Sequence, residues 1–259
     1  MRTSWLVNRR PHPAARLRLV CVPYAGGGAS AYAQWAQELA PDLEVHAVRL
    51  PGRESRLSEP PLTDVRDVVA ALGEELLAAI RPPFVLFGHS MGALIAYELT
   101  RWLRAVGGPG PERLLVSGRQ APHLARRVRS PYDLPDAEFV EALRSLGGTP
   151  EEVLGDAHVM RLLMPVLRAD FRLNDAYRHR PGKPLDCPVS AFGGRDDPVV
   201  GEDGLRAWQA HTEGPFTLHM FDGGHFFPHS AQRELLSVVG REVGAGCPVL
   251  AGTEGAGRS

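Results

Sequence analysis

Apolar residues along this chain cluster in short runs, separated by stretches where they recur at every third or fourth position. The runs are Leu17 to Val22, Val45 to Leu50, Phe84 to Phe87, Arg113 to Ser117, Val189 to Phe192 and Thr217 to Phe221. Dominated by aliphatic and aromatic side chains and mostly followed by glycine or proline, they read as buried strands. Between them lie helical patterns: Tyr32, Trp35, Ala36 and Leu39; a segment from about Thr63, a candidate N-cap, to Ile80; and Leu94 to about Ala105. Strands alternating with helices predict an α/β fold whose mostly parallel sheet is flanked by helices on both faces.

One stretch breaks this rhythm. From about Ala121 to Tyr177 there is no strand pattern, only the helix-like segments Asp136–Leu146, Glu151–Leu154 and Ala157–Asp170. An insertion of that length lies over the carboxyl ends of the strands, where such sheets bind ligands, and is expected to be a helical lid; extra packing on the sheet's flank is the alternative. Residues 1–243 are expected to form one domain. Gly244 to Ser259, rich in Gly and Ala, reads as a disordered tail.

Composition narrows the class. The 259 residues are 44% hydrophobic and 23% charged, ordinary for a globular enzyme. A net charge of −1 gives no electrostatic reason to expect nucleic acid or an anionic membrane as partner. Cys21, Cys187 and Cys247 are few, odd in number and far apart, which suits free thiols in a cytoplasmic protein. Neither a secretory signal nor an apolar stretch of membrane-spanning length is visible.

The chemistry is written at Phe87-Gly88-His89-Ser90-Met91-Gly92-Ala93, where a strand ends in Gly-X-Ser-X-Gly and a helix begins at once. Such a nucleophile elbow holds Ser90 in a strained conformation, with Gly88 and Gly92 relieving the crowding. The N–H of Met91 and the positive helix end are available to an oxyanion. A serine needs a base oriented by a carboxylate, and in the α/β-hydrolase arrangement the chain order is serine, acid, histidine. His225 follows the Thr217–Phe221 strand through Asp222-Gly223-Gly224 and can reach the elbow; His211 and His219 lie before or inside that strand. His89 neighbours the nucleophile but points away from it and reads as structural. A His225/His229 metal pair has no evident third ligand, so no metal is expected. The acid belongs to Asp196-Asp197 after the Val189–Phe192 strand, and spacing alone does not choose between the two. A second oxyanion N–H is expected from Ala25, which opens Gly26-Gly27-Gly28. That loop also fits a dinucleotide pattern formally, but Arg49-Leu50-Pro51-Gly52 stands where a ribose-binding acid should be.

With Pro23-Tyr24-Ala25-Gly26-Gly27, Leu50-Pro51-Gly52-Arg53, the elbow and Phe221-Asp222-Gly223-Gly224-His225-Phe226, the chain closely resembles the type II thioesterases that accompany polyketide synthases and nonribosomal peptide synthetases. The resemblance spans roughly Trp5 to Val239. It implies an α/β-hydrolase fold with a helical lid, a triad of Ser90, Asp197 and His225, and an oxyanion hole from Ala25 and Met91. It favours Asp197 over Asp196. The implied reaction removes stalled acyl groups from the phosphopantetheine arm of acyl or peptidyl carrier proteins, which are transient partners, with no cofactor of the enzyme's own. The lack of an attached carrier domain suggests a protein acting in trans, by default a monomer. Carrier domains are acidic, so Arg119, Arg126, Arg127 and Arg129 are candidate docking residues; a solvated charge run is the alternative. Phe226, Phe227, Met160, Leu163 and Met164 could line an acyl pocket or equally belong to the core. The rival functions are a carboxylesterase or lipase for small oxygen esters and a non-catalytic binding protein on the same fold.

Overall fold

The computed structural model describes residues 4–12, 14–125 and 131–246. Among them, β1 (Leu6–Val7), β2 (Leu17–Val22), β3 (Leu43–Val48), β4 (Phe84–His89), β5 (Leu114–Ser117), β6 (Val189–Gly194) and β7 (Phe216–Phe221) form one sheet in the order β1-β3-β2-β4-β5-β6-β7. All neighbours are parallel except β1, which runs antiparallel to β3. β1, with only two residues, carries too short a pattern to be read from the sequence.

Alternate side chains of the central strands enter two cores. Phe84 and Leu86 of β4 join Val20 and Val22 on one face, whereas Val85 and Phe87 join Leu19 and Cys21 on the other. The first face is covered by α2 (Val65–Ala79) and α3 (Met91–Ala105). The second is covered by a tight turn at Ala29–Tyr32, α1 (Trp35–Glu38) and, near the chain's end, the last helix. Tyr32, Trp35, Ala36 and Leu39 are all buried as expected, but the backbone is broken into two short pieces rather than one helix. The N-cap of α2 is Asp64, not Thr63: its carboxylate accepts from the Arg66 N–H at 2.9 Å.

Between β5 and β6 lie α4 (Asp136–Leu146), α5 (Glu151–Leu154) and α6 (Ala157–Ala176). They share a small core of their own, built on Phe139, Leu143, Leu154, Met160 and Leu167. Asp156 caps α6 by accepting from the N–H groups of His158 and Val159. That helix runs six residues beyond the sequence expectation, because buried Asp170 and Asn174 interrupt its apolar stripe. Then follow α7 (Glu202–Arg206), α8 (Phe227–Ser230) and α9 (Gln232–Gly246). α9 continues through residues 244–246, where the tail was expected to begin; the rest of that segment lies outside the described residues.

The chain leaves β2 toward β3 on one side and returns to place β4 on the other. Val22 and Gly88, at the ends of β2 and β4, are therefore register partners at the point where the winding reverses. That crevice is where an open parallel sheet binds its ligand. No helix of the described residues is long and apolar enough to cross a membrane.

Candidate active site

Ser90 sits between β4 and α3 with φ 53° and ψ −112°, a strained backbone for a residue with a side chain. A Cβ on Gly88 would lie 2.1 Å from the Gly92 carbonyl oxygen, and one on Gly92 would lie 2.1 Å from that of Val22. Both glycines of the elbow are thus sterically required. The Ser90 N–H donates to Ser117 O at 2.8 Å, fastening the turn to β5.

His225, on the loop after β7, places Nε2 3.1 Å from Ser90 Oγ and Nδ1 2.8 Å from Asp197 Oδ2. The Asp197 side chain is fully buried. Its other oxygen accepts from the N–H groups of Val199 at 2.8 Å and Val200 at 3.1 Å. A carboxylate can only accept, so it fixes the proton on Nδ1 and leaves Nε2 free to take one from Ser90. Of the acidic doublet, Asp197 both meets His225 and caps the following turn; Asp196 is exposed. His89 is buried, its Nδ1 2.9 Å from Ser117 Oγ. His229 lies on α8 with Nε2 3.1 Å from Tyr24 Oη. His211 pairs with Tyr97 and His123, and His219 with Glu242. No group of three or more potential metal ligands gathers among the described residues.

After β2, Tyr24 to Gly27 form a β-turn closed by the Gly27 N–H on Tyr24 O at 2.9 Å. Gly26, at its third position, has φ 76°, the left-handed value a type II turn needs there. Among the described residues, the N–H groups of Ala25 and Met91 have no acceptor. The Gly26 N–H donates to Asp170 Oδ2 at 2.8 Å. A carboxylate thus occupies the position where a dinucleotide loop would hold phosphate, which removes the nucleotide reading.

Residues 17–242 match the thioesterase domain family. The chain belongs to the thioesterase family. It is 43% identical over 240 residues to gramicidin S biosynthesis protein GrsT of Aneurinibacillus migulanus, spanning 93% of this chain and 94% of that one. It is 40% identical over 240 residues to thioesterase PikA5 of Streptomyces venezuelae, covering 91% and 84%. The type II thioesterase BorB of the borrelidin biosynthetic cluster superimposes with a TM-score of 0.85 at 42% identity, over 92% of this chain and 97% of that one.

In this thioesterase, Ser90, His225 and Ala25 open into a cavity of about 740 Å³. Its apolar wall comes from Leu143 and Leu146 of α4, Leu167 and Phe171 of α6, and Phe226. Of the five residues that the sequence left between pocket and core, Phe226 lines the cavity. Phe227 is buried in the sheet core, while Met160, Leu163 and Met164 pack in the core of the insertion. The face of α6 turned to the cavity begins one turn later than the Met-rich segment.

Arg119 lines the cavity and donates to Asn174 Oδ1 at 2.5 Å. Arg126, Arg127 and Arg129 lie outside the described residues. Sequence reasoning missed Arg53 and Asp170, buried to 6% and 2% exposure and joined at 2.8 and 2.9 Å. The motif Leu50-Pro51-Gly52-Arg53 was visible, but its partner lies 117 residues away.

Proposed function

We propose that this protein is a type II editing thioesterase, hydrolysing acyl thioesters on the phosphopantetheine arm of carrier proteins in a polyketide or nonribosomal peptide synthase. The observation that carries this reading is the hydrogen-bonded series Ser90–His225–Asp197 opening into a large, partly apolar cavity. It occurs in a chain akin along nearly its whole length to the type II thioesterase of the borrelidin biosynthetic cluster.

In this mechanism Ser90 Oγ adds to the thioester carbonyl carbon as its proton passes to His225 Nε2. The N–H groups of Ala25 and Met91 hold the oxyanion, helped by the positive end of α3. Collapse breaks the C–S bond and the thiolate takes the proton from His225. A thiolate leaves readily, so little protonation is needed beforehand. Water then gives its proton to His225 and attacks the acyl–Ser90 ester, and Ser90 recovers its proton as the acid departs. Asp197 orients His225 and offsets its transient charge. No metal or redox cofactor enters any step.

The insertion α4–α6 acts as a lid over the acyl chain, its helices held together by a core of their own. The basic segment at its start, Arg126, Arg127 and Arg129, meets the acidic face of a carrier domain in a transient encounter. Arg119 serves from the cavity wall. The enzyme works as a cytoplasmic monomer alongside its synthase. Its test is comparative turnover of acetyl, propionyl and longer acyl groups, as N-acetylcysteamine thioesters and as oxygen esters of the same acids. Preference for thioesters supports the reading; equal or faster oxygen-ester hydrolysis transfers it to a carboxylesterase.

A further inference from the structure

Around the turn Tyr24–Gly27 the structure places a buried polar clamp that the triad does not use. Arg53, in the loop after β3, donates from Nη1 to Gly27 O at 2.9 Å and to Asp170 Oδ2 at 2.9 Å, and from Nη2 to Asp170 Oδ1 at 2.8 Å. Asp170 Oδ2 also accepts the Gly26 N–H at 2.8 Å. One residue on, the Glu54 carboxylate accepts the Ser30 N–H at 2.9 Å. The oxyanion loop is therefore held at Gly26, Gly27 and Ser30 by side chains from two other elements.

The contact with α6 is equally close in its apolar part. A Cβ on Gly26 would lie 2.5 Å from Leu167 Cδ2, so the turn packs directly against the Leu167 side chain. Val166, Leu167, Asp170 and Asn174 are all buried, spaced along one face of α6. Type I and type II turns differ by a flip of the central peptide, here Ala25–Gly26. The Asp170 carboxylate accepts the N–H of that peptide and would repel its carbonyl oxygen. It therefore selects the orientation seen and steadies the adjoining Ala25 N–H.

We propose that Arg53 and Asp170 are positioning residues for thioester hydrolysis. They lock the Ala25–Gly26 turn in the form that presents the oxyanion donor, and they make the second half of α6 a fixed wall of the site. Motion of the insertion is then confined to α4, α5 and the first turns of α6. This rests on the thioesterase reading and on Ala25 as an oxyanion donor.

The variants are Asp170→Asn and the double replacement Arg53→Met with Asp170→Leu, which removes both charges together and leaves neither one buried alone. For each, kcat and KM on an acyl-N-acetylcysteamine thioester are measured, with the melting temperature. So is the affinity for the matching acyl trifluoromethyl ketone, whose adduct with Ser90 needs the oxyanion donors. The proposal expects kcat to fall on the order of 10- to 100-fold with KM little changed, and ketone affinity to fall by a similar factor. A lowered melting temperature with kcat and ketone affinity unchanged in folded protein overturns it. If Asp170→Asn does not fold, the double variant decides on the same readouts. Absence of wild-type turnover would count against thioester hydrolysis itself, while the ratio of ketone affinities would still judge the clamp.

Discussion

The imidazole of His89 lies against that of His225, with ring centroids 5.1 Å apart and planes inclined at 46°. His89 is the residue before the nucleophile and is 2% exposed. Burial above all, then the neighbouring His225 and His229, pushes its pKa well below the ordinary 6.5. Lowering the pKa of a base keeps it neutral, so in the proposed mechanism an uncharged His89 lies against the imidazolium that His225 becomes.

The acid side of the pH profile should therefore carry no contribution from His89. Replacing His89 by Asn is expected to leave the slope of the acid limb of log kcat/KM against pH unchanged. A limiting slope of two, abolished by substituting His89, would show that His89 titrates in the working range.

Asp197 and Asp196 are adjacent but should differ by orders of magnitude. Asp197→Asn exchanges an acceptor for an amide facing Nδ1 and favours the wrong tautomer, so kcat should fall by about 10⁴-fold, the scale found for such a replacement in a serine triad. Asp196→Asn, at an exposed side chain, should leave kcat within about twofold of wild type. Comparable losses in both variants would mean that the doublet shares the role.

Steric demand at the elbow gives a contrasting pair of glycine substitutions. Gly92→Ala sets a methyl group 2.1 Å from the Val22 oxygen, where only backbone could yield, and is expected to abolish soluble folded protein or lower kcat at least 100-fold. Gly240→Ala, on α9 with nothing within 4 Å, should instead stabilise by about 0.5–1 kcal/mol. Soluble yield, chemical denaturation and kcat measure both.

These two glycines show what a single sequence can reveal. The elbow and His225 are legible because local sequence makes them: an apolar strand, an obligatory small-residue turn and a helix leave little choice. The mostly parallel sheet is legible for a similar reason, since largely apolar runs imply strands buried on both faces. Asp197 was ambiguous because the choice depends on the N–H groups of Val199 and Val200, whose direction no spacing encodes. The last turns of α6 were hidden because Asp170 and Asn174 are polar residues buried for their partners. Arg53 stands in a legible motif, but its partner Asp170 lies 117 residues on and meets it only in the fold.

The cavity should set acyl length through Leu146, at the end of α4. Leu146→Trp fills part of the roughly 740 Å³ space and should lower kcat/KM for eight-carbon and longer chains at least tenfold, leaving acetyl turnover nearly unchanged. Equal losses for acetyl and octanoyl groups would mean that the acyl chain lies elsewhere.

The most direct measurement is mass spectrometry of carrier proteins loaded with acetyl, propionyl and longer acyl groups, incubated with wild-type enzyme and with Ser90→Ala. The account predicts loss of the acyl mass with wild type only, the phosphopantetheine arm remaining as free thiol, and fastest for short chains. Retention of every acyl group by folded wild-type enzyme, or equal removal by Ser90→Ala, would contradict it.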